Sequence, residues 1–374
     1  MKNGRTFEGK TVTLTGNIDL DGLKWEPIGK ANLQQIFKGV FDGGGYEIHN
    51  LRSEVISTGE AYSGLFGAIY QARVTRVVLA EDCEIRTSYY GGGVVAYAQE
   101  SEIVSCENRA SVSFEGPAGY VGGIAGYVAL ASSIDRCENL GIVTGTVQPS
   151  DNYASCLVYA GGIAGVNQES AIINSSNHAV VAVEALPEYD SCAGGIVGYN
   201  SGSSTFIANC YNAAGVRLSG SGFAGGILSY TDNGDVRVAN CYNVGTVSGV
   251  PGKSYPIVPI LSADSEDCYY LTNCVEGEGS YAGTALTVDY MKSTAFAARL
   301  NDWSKTNNSS ETGRQTLYWK VEDAENDGYP VFTDQDPGYT GVESVVSGVR
   351  IYPTTVSGEL VVCGAESPIY IYNP

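Results

Sequence analysis

A glycine-marked block that recurs six times constrains the fold of this chain more than any other sequence feature. Most copies resemble Gly122-Gly-Ile-Ala-Gly126. The second residues of the six blocks are Gly64, Gly93, Gly123, Gly162, Gly195 and Gly226. They are separated by 29, 30, 39, 33 and 31 residues. Self-similarity at this period is typical of solenoids and propellers.

Two further patterns keep the same period. Each of the last five blocks is followed by a Cys-x-Asn motif, in which Ser replaces Cys once. A short run rich in β-branched residues comes next, as in Ile142–Val147. Three short strands per repeat match one coil of a solenoid better than a propeller blade, which needs four. The sequence therefore predicts an all-β chain that winds into a right-handed, three-sided parallel β-helix.

Equivalent positions of successive coils would stack about 4.8 Å apart, which is the spacing of neighbouring strands. The first such column is Cys106, Cys137, Ser175, Cys210 and Cys241. The second is Asn108, Asn139, Asn177, Asn212 and Asn243. The third is Tyr62, Tyr90, Tyr120, Tyr159 and Phe223. We expect buried free thiols in the first column, bonded amides in the second and stacked rings in the third. The recurring glycines indicate either close backbone approach or a ring packed over a missing side chain.

The two ends of the chain depart from the repeat. Residues 1–60 carry a related pattern and are interpreted as opening coils ahead of the repeats at 61–275. Residues 276–338 are predicted to form a cap of short helices and strands that closes the open end of the coil. The expected helices are Val288–Lys292 and Ala295–Leu300, N-capped by Thr287 and Thr294, and the expected strands are Tyr318–Val321 and Tyr329–Phe332. Residues 339–374 are expected to form a partial β-sandwich.

Composition narrows the class of function. The net charge of −20 gives a surface that repels nucleic acid and anionic membranes. No Lys occurs between Lys38 and Lys253, and no run of 18 apolar residues is long enough to insert into a membrane. Ten Cys occur without a CxxC motif, which argues against zinc-ribbon and thioredoxin sites. An acidic surface of this kind fits a soluble extracellular protein, cation binding, or capture of neutral sugars or protein.

Two insertions lengthen the repeat and supply the candidate binding residues. They span residues 148–157 and 184–191, and both are acidic and carry tyrosine. Insertions of this kind lie on loops of one face of a solenoid, and often on the binding face. The candidate binding residues are Asp151, Tyr153, Glu184, Glu188, Tyr189 and Asp190. Neutral drift in the length of a loop is the competing interpretation.

Two carboxylate groups are candidate calcium sites, and Ca²⁺ is the only cofactor that the sequence brings into question. Asp19 and Asp21 would share one face of a strand, and Asp42 could approach them from the next coil. The second group is Asp323, Glu325 and Asp327. It departs from the EF-hand pattern at the third and twelfth positions. A solvated strand end and an ordinary turn are the respective alternatives.

The blocks Ser63-Gly-Leu-Phe-Gly67 and Gly-Gly-Ile-Ala-Gly resemble the GLUG motif of bacterial secreted proteins. The opening Trp25-Glu-Pro-Ile-Gly29 and Phe41-Asp-Gly-Gly-Gly45 and the closing Gly328-Tyr-Pro-Val331 resemble segments found with that motif. Together these segments cover about residues 6–333. The resemblance implies a β-helical, adhesin-like protein that is secreted by, or displayed on the outer membrane of, anaerobic gut bacteria. It transfers no catalytic residues.

The last stretch resembles the start of a C-terminal sorting domain of the type IX secretion kind. It contains Val349-Arg-Ile-Tyr-Pro353 and Ile369-Tyr-Ile-Tyr-Asn373. It departs from that pattern at Thr354, where Asn is usual, and it covers about half of such a β-sandwich. The resemblance implies export from the cell.

No specific catalytic set is visible. His49 and His178 are the only histidines, and neither belongs to an HExxH motif or accompanies a Gly-x-Ser-x-Gly elbow. We therefore predict a monomeric, non-catalytic extracellular protein that presents its β-helix to a host protein or glycan, with no nucleic-acid partner and no membrane insertion. The alternatives are a glycoside hydrolase or polysaccharide lyase on the same scaffold, which would need paired carboxylates, and a passive surface spacer.

Overall fold

The computed structural model describes residues 6–31, 35–56, 60–232, 236–259, 264–276, 281–309, 315–339, 350–352, 359–363 and 369–372. It is all-β, with 46% strand and 7% helix, and its parallel sheets form a solenoid of about eight turns. The predicted fold class is therefore confirmed. The chain divides into two units, Met1–Leu286 and Thr287–Pro374.

Five parallel sheets run along the solenoid, numbered here in the order in which a turn visits them. Sheet 1 contains Thr11–Thr13, Val40–Asp42, Arg73–Thr75, Glu102–Val104, Ser133–Asp135, Ala171–Ile173, Thr205–Ala208, Val236–Ala239 and Asp264–Glu266. Sheet 2 contains Ile18–Asp19, Glu47–His49, Val78–Leu79, Glu107–Asn108, Glu138–Asn139, Ser176–Asn177, Tyr211–Asn212, Tyr242–Asn243, Tyr269–Leu271 and Thr284–Leu286.

The next side of the turn is sheet 3, followed by sheets 4 and 5. Sheet 3 contains Arg52–Val55, Glu84–Thr87, Ser111–Gly116, Val143–Val147, Val181–Glu184, Val216–Ser219 and Val247–Ser248. Sheet 4 contains Tyr62–Ser63, Tyr90–Gly92, Ala118–Gly122, Leu157–Gly161, Ser191–Gly194, Gly222–Gly225 and Ser254–Tyr255. Sheet 5 contains Phe66–Tyr70, Val95–Gln99, Ala125–Ala129, Ala164–Gln168, Val197–Ser201 and Leu228–Thr231.

Each full turn has five short strands where the sequence predicts three. The glycine block is a bend between two strands, since Gly122 ends a strand of sheet 4 and Ala125 begins one of sheet 5. The strand before the Cys-x-Asn motif is separated from it by a residue in the left-handed region, as at Ser105 with φ 54° and Arg136 with φ 55°. Residues other than glycine rarely adopt this conformation, so the residue types at these corners gave no indication of a bend.

The interior is filled by the predicted cysteine and asparagine columns and by stacked aliphatic side chains. Cys106, Cys137, Cys210 and Cys241 are all buried and free, and the Cys137 thiol accepts a hydrogen bond from the Cys106 amide at 3.4 Å. Cys268 continues this column one turn further, because Tyr269 pairs with Tyr242. Burial raises the pKa of the Cys241 thiol well above its usual value, so it stays protonated.

The asparagine ladder runs through the core as predicted. Each side-chain amide nitrogen donates to Oδ1 of the next asparagine. The donor–acceptor distance is 2.9 Å from Asn108 to Asn139 and 2.8 Å from Asn139 to Asn177. Asn177 to Asn212 and Asn212 to Asn243 repeat the bond at 2.8 Å. Each ladder amide also donates to the backbone carbonyl two residues ahead, so this buried polar column satisfies its donors.

The glycine pair is explained by this ladder. A Cβ added to Gly123 would lie 2.2 Å from the Gly162 carbonyl oxygen and 2.3 Å from the Asn139 side chain. A Cβ on Gly126 would lie 2.7 Å from the Ala96 carbonyl oxygen and 2.9 Å from the Gly91 carbonyl oxygen. Close backbone approach is therefore the correct alternative of the two that the sequence left open, and the asparagine amide occupies the remaining space.

The described residues of the second unit form two helices and two antiparallel sheets. The helices are Val288–Met291 and Thr294–Asn308, and a hairpin pairs Tyr318–Lys320 with Val331–Thr333 across a 3-10 turn at Asn326–Gly328. Thr287 caps the first helix as predicted. The second helix is capped by Ser293 rather than by the expected Thr294, which is its first helical residue. Arg350–Tyr352, Glu359–Cys363 and Ile369–Tyr372 form a three-stranded antiparallel sheet.

Candidate functional site

Two rows of aromatic side chains run side by side along the solenoid and form its most distinctive surface. The sheet 4 row follows the strand register through Tyr62, Tyr90, Tyr120, Tyr159, Cys192 and Phe223. The sheet 5 row follows it through Tyr97, Tyr127, Val166, Tyr199 and Tyr230. All of these aromatic rings are partly exposed, and their strand neighbours are buried. The rings therefore point away from the core, and we call the surface they form the tyrosine groove.

The rings of the tyrosine groove pack in a herringbone pattern. Within a row they are stacked or tilted: Tyr62 and Tyr90 are 4.8 Å apart between centroids with 12° between planes, whereas Tyr90 and Tyr120 are tilted by 34°. Between rows they meet edge to face, with Tyr90 and Tyr97 at 5.7 Å and 77°. Tyr120 and Tyr127 repeat the edge contact at 5.4 Å and 81°. Because outward side chains of adjacent sheets touch, the outer faces of sheets 4 and 5 meet at a concave angle.

The interruption of both rows does not break the ring contacts. Val166 and Cys192 replace aromatic residues in neighbouring turns, and both are buried. Tyr159 then stacks on Tyr199 of the next turn at 4.3 Å and 11°. Ring contacts thus continue past the interruption, although the edge-to-face pattern between the rows gives way to stacked and tilted pairs.

A polar fringe borders the groove. The Tyr62 hydroxyl donates to Glu60 Oε2 at 2.7 Å, and the Tyr127 hydroxyl donates to Gln168 Oε1 at 3.0 Å. The Tyr97 hydroxyl donates to Gln99 Oε1 at 3.4 Å. These hydroxyls therefore use their single proton within the protein and keep acceptor lone pairs on the surface.

The electrostatics of the groove keep the tyrosines neutral. Burial is the main reason that the pKa values of Tyr62, Tyr90 and Tyr120 are raised. At Tyr199 burial again raises the pKa, and the nearby Asp232 carboxylate adds to the effect. These hydroxyls therefore stay protonated near neutral pH.

The two insertions lie at one corner of the solenoid, between sheets 3 and 4 on neighbouring turns. Tyr153 and Tyr189 are partly buried against the core. Tyr153 also lies near Tyr89, whose pKa is raised chiefly by burial and then by the neighbouring Glu60 and Tyr153. Tyr89 in turn touches Tyr90 and Tyr120 edge to face. The corner is therefore continuous with the tyrosine groove.

The acidic residues of the insertions do not converge on one point. Asp190 accepts hydrogen bonds from Lys253 Nζ at 3.0 and 2.8 Å and from the Ser221 hydroxyl. These contacts tie the second insertion to the following turns. Glu184 accepts from Thr146 Oγ1 at 3.5 Å. Asp151 and Glu188 are exposed. The binding role of all six residues remains a prediction. Of the six, Tyr153 and Tyr189 pack against the hydrophobic core.

The N-terminal carboxylates are held separately. The strand that carries Asp19 ends there, and Asp21 lies in a turn with φ 53°, so the expected shared strand face does not form. The register partner of Asp19 on the next coil is His49, not the expected Asp42, because Asp42 belongs to sheet 1 and Asp19 to sheet 2. Asp42 is instead paired with Arg76. The contact with Arg76 lowers the pKa of Asp42.

The second carboxylate group lies in the hairpin turn of the second unit. Glu325 is 3.6 Å from Lys320 Nζ, and Asp327 has φ 51° within the 3-10 turn. Asp323 is exposed. Over the ranges that the structure describes, no group of three or more Asp, Glu, His or Cys side chains is arranged to hold a metal ion. Calcium binding at either group stays a prediction, without geometric support.

A second, polar groove of about 530 Å³ crosses the outer face of sheet 3. Its lining includes Glu54, Arg86 and Glu115, with Thr144, Thr146 and Gln148 beside them. The Arg86 guanidinium lies 3.8 Å from Glu54 and 3.8 Å from Glu84, beyond hydrogen-bonding distance. Carboxylates and an arginine in one groove are the arrangement that an enzyme on this scaffold would need.

Both histidines are engaged within the protein. His49 contacts Asp82 at 3.1 Å and Glu47 at 3.2 Å, and the Asp82 hydrogen bond is the main cause of its raised pKa. His178 Nε2 contacts the Tyr211 hydroxyl at 3.0 Å and Glu138 Oε1 at 3.2 Å. Burial outweighs the nearby carboxylate and lowers the pKa of His178 to about 4. Neither histidine is adjacent to a serine or cysteine nucleophile in a described hydrogen bond.

Comparisons with known proteins show the fold. No protein-family model and no curated protein matches the chain. A crystal structure from Bacteroides ovatus, provisionally named an immunoglobulin A1 protease, aligns with a TM-score of 0.50 at 20% identity and covers 87% of this chain and 86% of that chain. A structure named IgA1 Protease aligns with a TM-score of 0.48 at 14% identity over 92% of this chain, but 25% of its own.

At 20% identity the first likeness shows a shared β-solenoid fold alone. The GLUG and sorting-domain resemblances therefore stay predictions. Among the helices that the structure describes, none has the length and apolar character needed to cross a membrane.

Sequence reasoning identified one row of the tyrosine groove and missed the other. The column from Tyr62 to Phe223 is predicted to stack, and it does so in part: Tyr62 and Tyr90 are stacked at 12°, whereas Tyr90 and Tyr120 are tilted by 34° and Tyr120 and Tyr159 by 46°. Cys192 interrupts the column before Phe223. The second row was visible as a tyrosine four residues after the second glycine of a block, as in Gly93 and Tyr97 or Gly195 and Tyr199. The sequence does not show that the chain bends at the glycine block, and this bend is what places the two rows side by side.

Proposed function

We propose that this chain is a β-helical binding protein that acts outside the cell, in the manner of an adhesin, and captures a glycan or a host protein in the tyrosine groove. The observation that carries the proposal is the herringbone of partly exposed rings, which is assembled by the strands themselves. Tyrosine offers a large, rigid and amphipathic contact area with little side-chain entropy to lose. A surface ordered before binding also lowers the cost of association.

The extracellular location rests on the acidic, lysine-poor repeat region and on the resemblance to secreted and surface proteins. The structures similar in fold are named for proteases of an immunoglobulin, so a host protein belongs among the ligands to be tested. The groove chemistry supports recognition, because burial keeps its tyrosine hydroxyls neutral and able to form hydrogen bonds with a ligand.

A carbohydrate-active enzyme is the second candidate, and the polar groove of sheet 3 favours it. Glu54, Arg86 and Glu115 share that groove, and a glycosidase needs two carboxylates on either side of the scissile bond. A passive spacer is the third candidate, and the exposed aromatic rows argue against it because a spacer gains nothing from them.

The test is an array of glycans and host matrix proteins, run beside an assay for reducing sugar released from the same polysaccharides. We expect wild-type protein to bind a member of the array and to release no sugar. Tyr97→Ala should weaken that binding at least tenfold, while Tyr46→Ala should not. Tyr46 is a suitable control because it is 38% exposed and belongs to neither row.

The other outcomes select the alternatives. Release of sugar that is abolished by Glu115→Gln, and retained in Tyr97→Ala, would assign the chain to the carbohydrate-active enzymes. Binding to nothing on the array would leave the spacer. Equal loss of binding in Tyr46→Ala and Tyr97→Ala would place the binding surface outside the tyrosine groove.

A further inference from the structure

We infer that the tyrosine groove takes a neutral, linear glycan that lies parallel to the solenoid axis, with one sugar unit over each turn. This inference rests on the proposed function and names the ligand class for the same site. It depends on three properties of the groove: its repeat, the hydrogen-bonding character of its rim, and the position of its charges.

The repeat of the groove selects a ligand that is itself periodic. Ring centroids in the sheet 4 row are separated by 4.8 Å from Tyr62 to Tyr90, 5.2 Å from Tyr90 to Tyr120 and 5.8 Å from Tyr120 to Tyr159. In the sheet 5 row, Tyr97 and Tyr127 are 5.6 Å apart. An extended chain of pyranose units advances by a comparable step, so each unit meets the same set of groups. A folded protein epitope has no such period.

Three tyrosine hydroxyls at the rim of the groove have their protons engaged within the protein and can accept hydrogen bonds from a ligand. The hydroxyls of Tyr62, Tyr97 and Tyr127 already donate to Glu60, Gln99 and Gln168, so their free lone pairs face the ligand. A matching ligand must therefore supply many donors. Sugar hydroxyls do so, whereas a proline-rich peptide lacks backbone N–H groups and offers mainly carbonyl acceptors.

The stacking of the rings points to the same ligand geometry. Neighbouring rings cover part of each other's faces, both within a row, as in the 12° stack of Tyr62 on Tyr90, and between rows, as in the 11° stack of Tyr159 on Tyr199. The ligand therefore meets ring edges and hydroxyls. A chain lying along the groove touches an edge and a hydroxyl at each turn, while a single large apolar side chain would find no open face to pack on.

Charge excludes the anionic glycans. Carboxylates border the groove near both ends, with Glu60 bonded to Tyr62 and Asp232 raising the pKa of Tyr199 after burial. The central turns between them carry Tyr120, Tyr127 and Gln168, which are neutral. The Lys253 ammonium lies 4.7 Å from the centroid of the Phe223 ring, but it is paired with Asp190 at 2.8 Å. The Glu60 and Asp232 carboxylates should therefore repel sulfate or carboxylate groups on a ligand.

The test measures affinity against ligand length by calorimetry. The probes are neutral oligosaccharides of two to ten units, β-1,4- and β-1,3-linked glucose, mannose and xylose, with polyuronate and sulfated chains, a polyproline peptide and a lysine-rich peptide as counter-probes. The sheet 4 row spans six turns. We expect affinity for one neutral series to rise with length and level off near six units, with little dependence on salt.

Two variants connect that binding to the rim. Tyr127→Phe keeps the ring in the herringbone and removes the hydroxyl, and we expect at least a fivefold loss of affinity for the longest oligosaccharide. Tyr46→Phe is the matched control and should bind as wild type does. Far-ultraviolet circular dichroism and the thermal midpoint establish that both variants are folded.

Preference for a polyanion, for either peptide or for a protein on the array would overturn the inference and leave the proposed binding function in place. Affinity that does not change with chain length would overturn it as well. If no glycan and no protein binds, both the inference and the proposed function fail. Binding that weakens steeply with salt would assign the groove to a cationic peptide instead.

Discussion

At the scale of single residues, two kinds of position maintain each turn: an asparagine and the glycine it packs against. The pairing of Gly123 with Asn139 recurs as Gly162 with Asn177 and Gly195 with Asn212. The sequence revealed both columns, because their identities repeat at the period of the fold. The sequence did not reveal that the asparagine column explains the glycine column. The two residues of each pair are far apart along the chain and meet only inside the folded solenoid.

Gly123→Ala should lower the free energy of unfolding by about 1–3 kcal/mol, because the new Cβ would overlap the Gly162 carbonyl and the Asn139 amide. Gly16→Ala is the matched control, since a Cβ there meets nothing within 4 Å. Urea denaturation of both variants measures the difference. Equal effects at the two sites would contradict the packing argument.

Asn177→Ala removes the middle of the ladder and strips buried partners from Asn139 and Asn212. The expected cost is about 1–3 kcal/mol for leaving buried polar groups unpaired, with a further contribution from the cavity. Asn152→Ala, on the exposed first insertion, should change stability little. Thermal midpoints of the two variants provide the comparison, and a midpoint for Asn177→Ala like that of wild type would refute the role of the ladder.

His178 should make stability depend on pH. Its pKa in the folded protein is lowered to about 4 by burial, below the ordinary value of 6.5. Protonation therefore favours the unfolded chain, so this contribution is complete above pH 6.5 and is lost as the pH falls from 6.5 towards 4. Thermal midpoints measured across that range should fall less in His178→Gln than in wild type. Parallel curves for the two proteins would be evidence against a buried neutral imidazole.

At the scale of secondary-structure elements, strand number was the main error. Three strand-like runs per repeat are evident in the sequence, but five strands form. The additional strand ends lie at corners such as Ser105, Arg136 and Asn174, which adopt left-handed backbone although none of them is glycine. In a solenoid, the hydrogen bonds of the turns above and below compensate the local cost of such corners. Tertiary context of this kind is absent from any single stretch of sequence.

The cap of the longer helix gives a test at this scale. Ser293 Oγ accepts from the Phe296 amide at 3.2 Å, so Ser293→Ala should destabilise the second unit by about 1 kcal/mol. Thr294→Ala, at the residue that the sequence favoured as the cap, should have a smaller effect because Thr294 lies within the helix. Hydrogen exchange of the first-turn amides would distinguish the two, and a larger effect at Thr294 would restore the original prediction.

At the scale of the whole molecule, the all-β solenoid could be predicted because periodicity survives differences in local propensity. The candidate site could be predicted only in part. The insertions stand out in the sequence because they interrupt the period. The second aromatic row keeps the period, so nothing in the sequence distinguishes it from the rest of the repeat. Its significance depends on which faces of sheets 4 and 5 adjoin, and that is decided by the bend at Gly122 and Gly123.

Thiol chemistry reports on the integrity of the whole solenoid. Cys106, Cys137, Cys210 and Cys241 are buried and free, so they should resist a thiol reagent in the folded protein and react fully after unfolding without a reductant. Counting reactive thiols with a chromogenic disulfide reagent, with and without guanidinium, makes the measurement. The described residues include nine buried, free cysteines, so fewer than nine additional thiols after unfolding would show that disulfides link some of them.

The glycine and asparagine columns also determine how such a chain can change in length. Because each turn presents the same pair to the turn above and to the turn below, a duplicated or deleted segment is tolerated when it spans one complete turn. The cut ends then meet a neighbour identical in shape to the one removed. A gain or loss of half a turn would place an asparagine side chain next to a residue with a Cβ, where the space that a glycine leaves for the asparagine is missing. The length of the tyrosine groove is therefore adjustable in units of one turn, which makes reach along the axis a modular property of the gene.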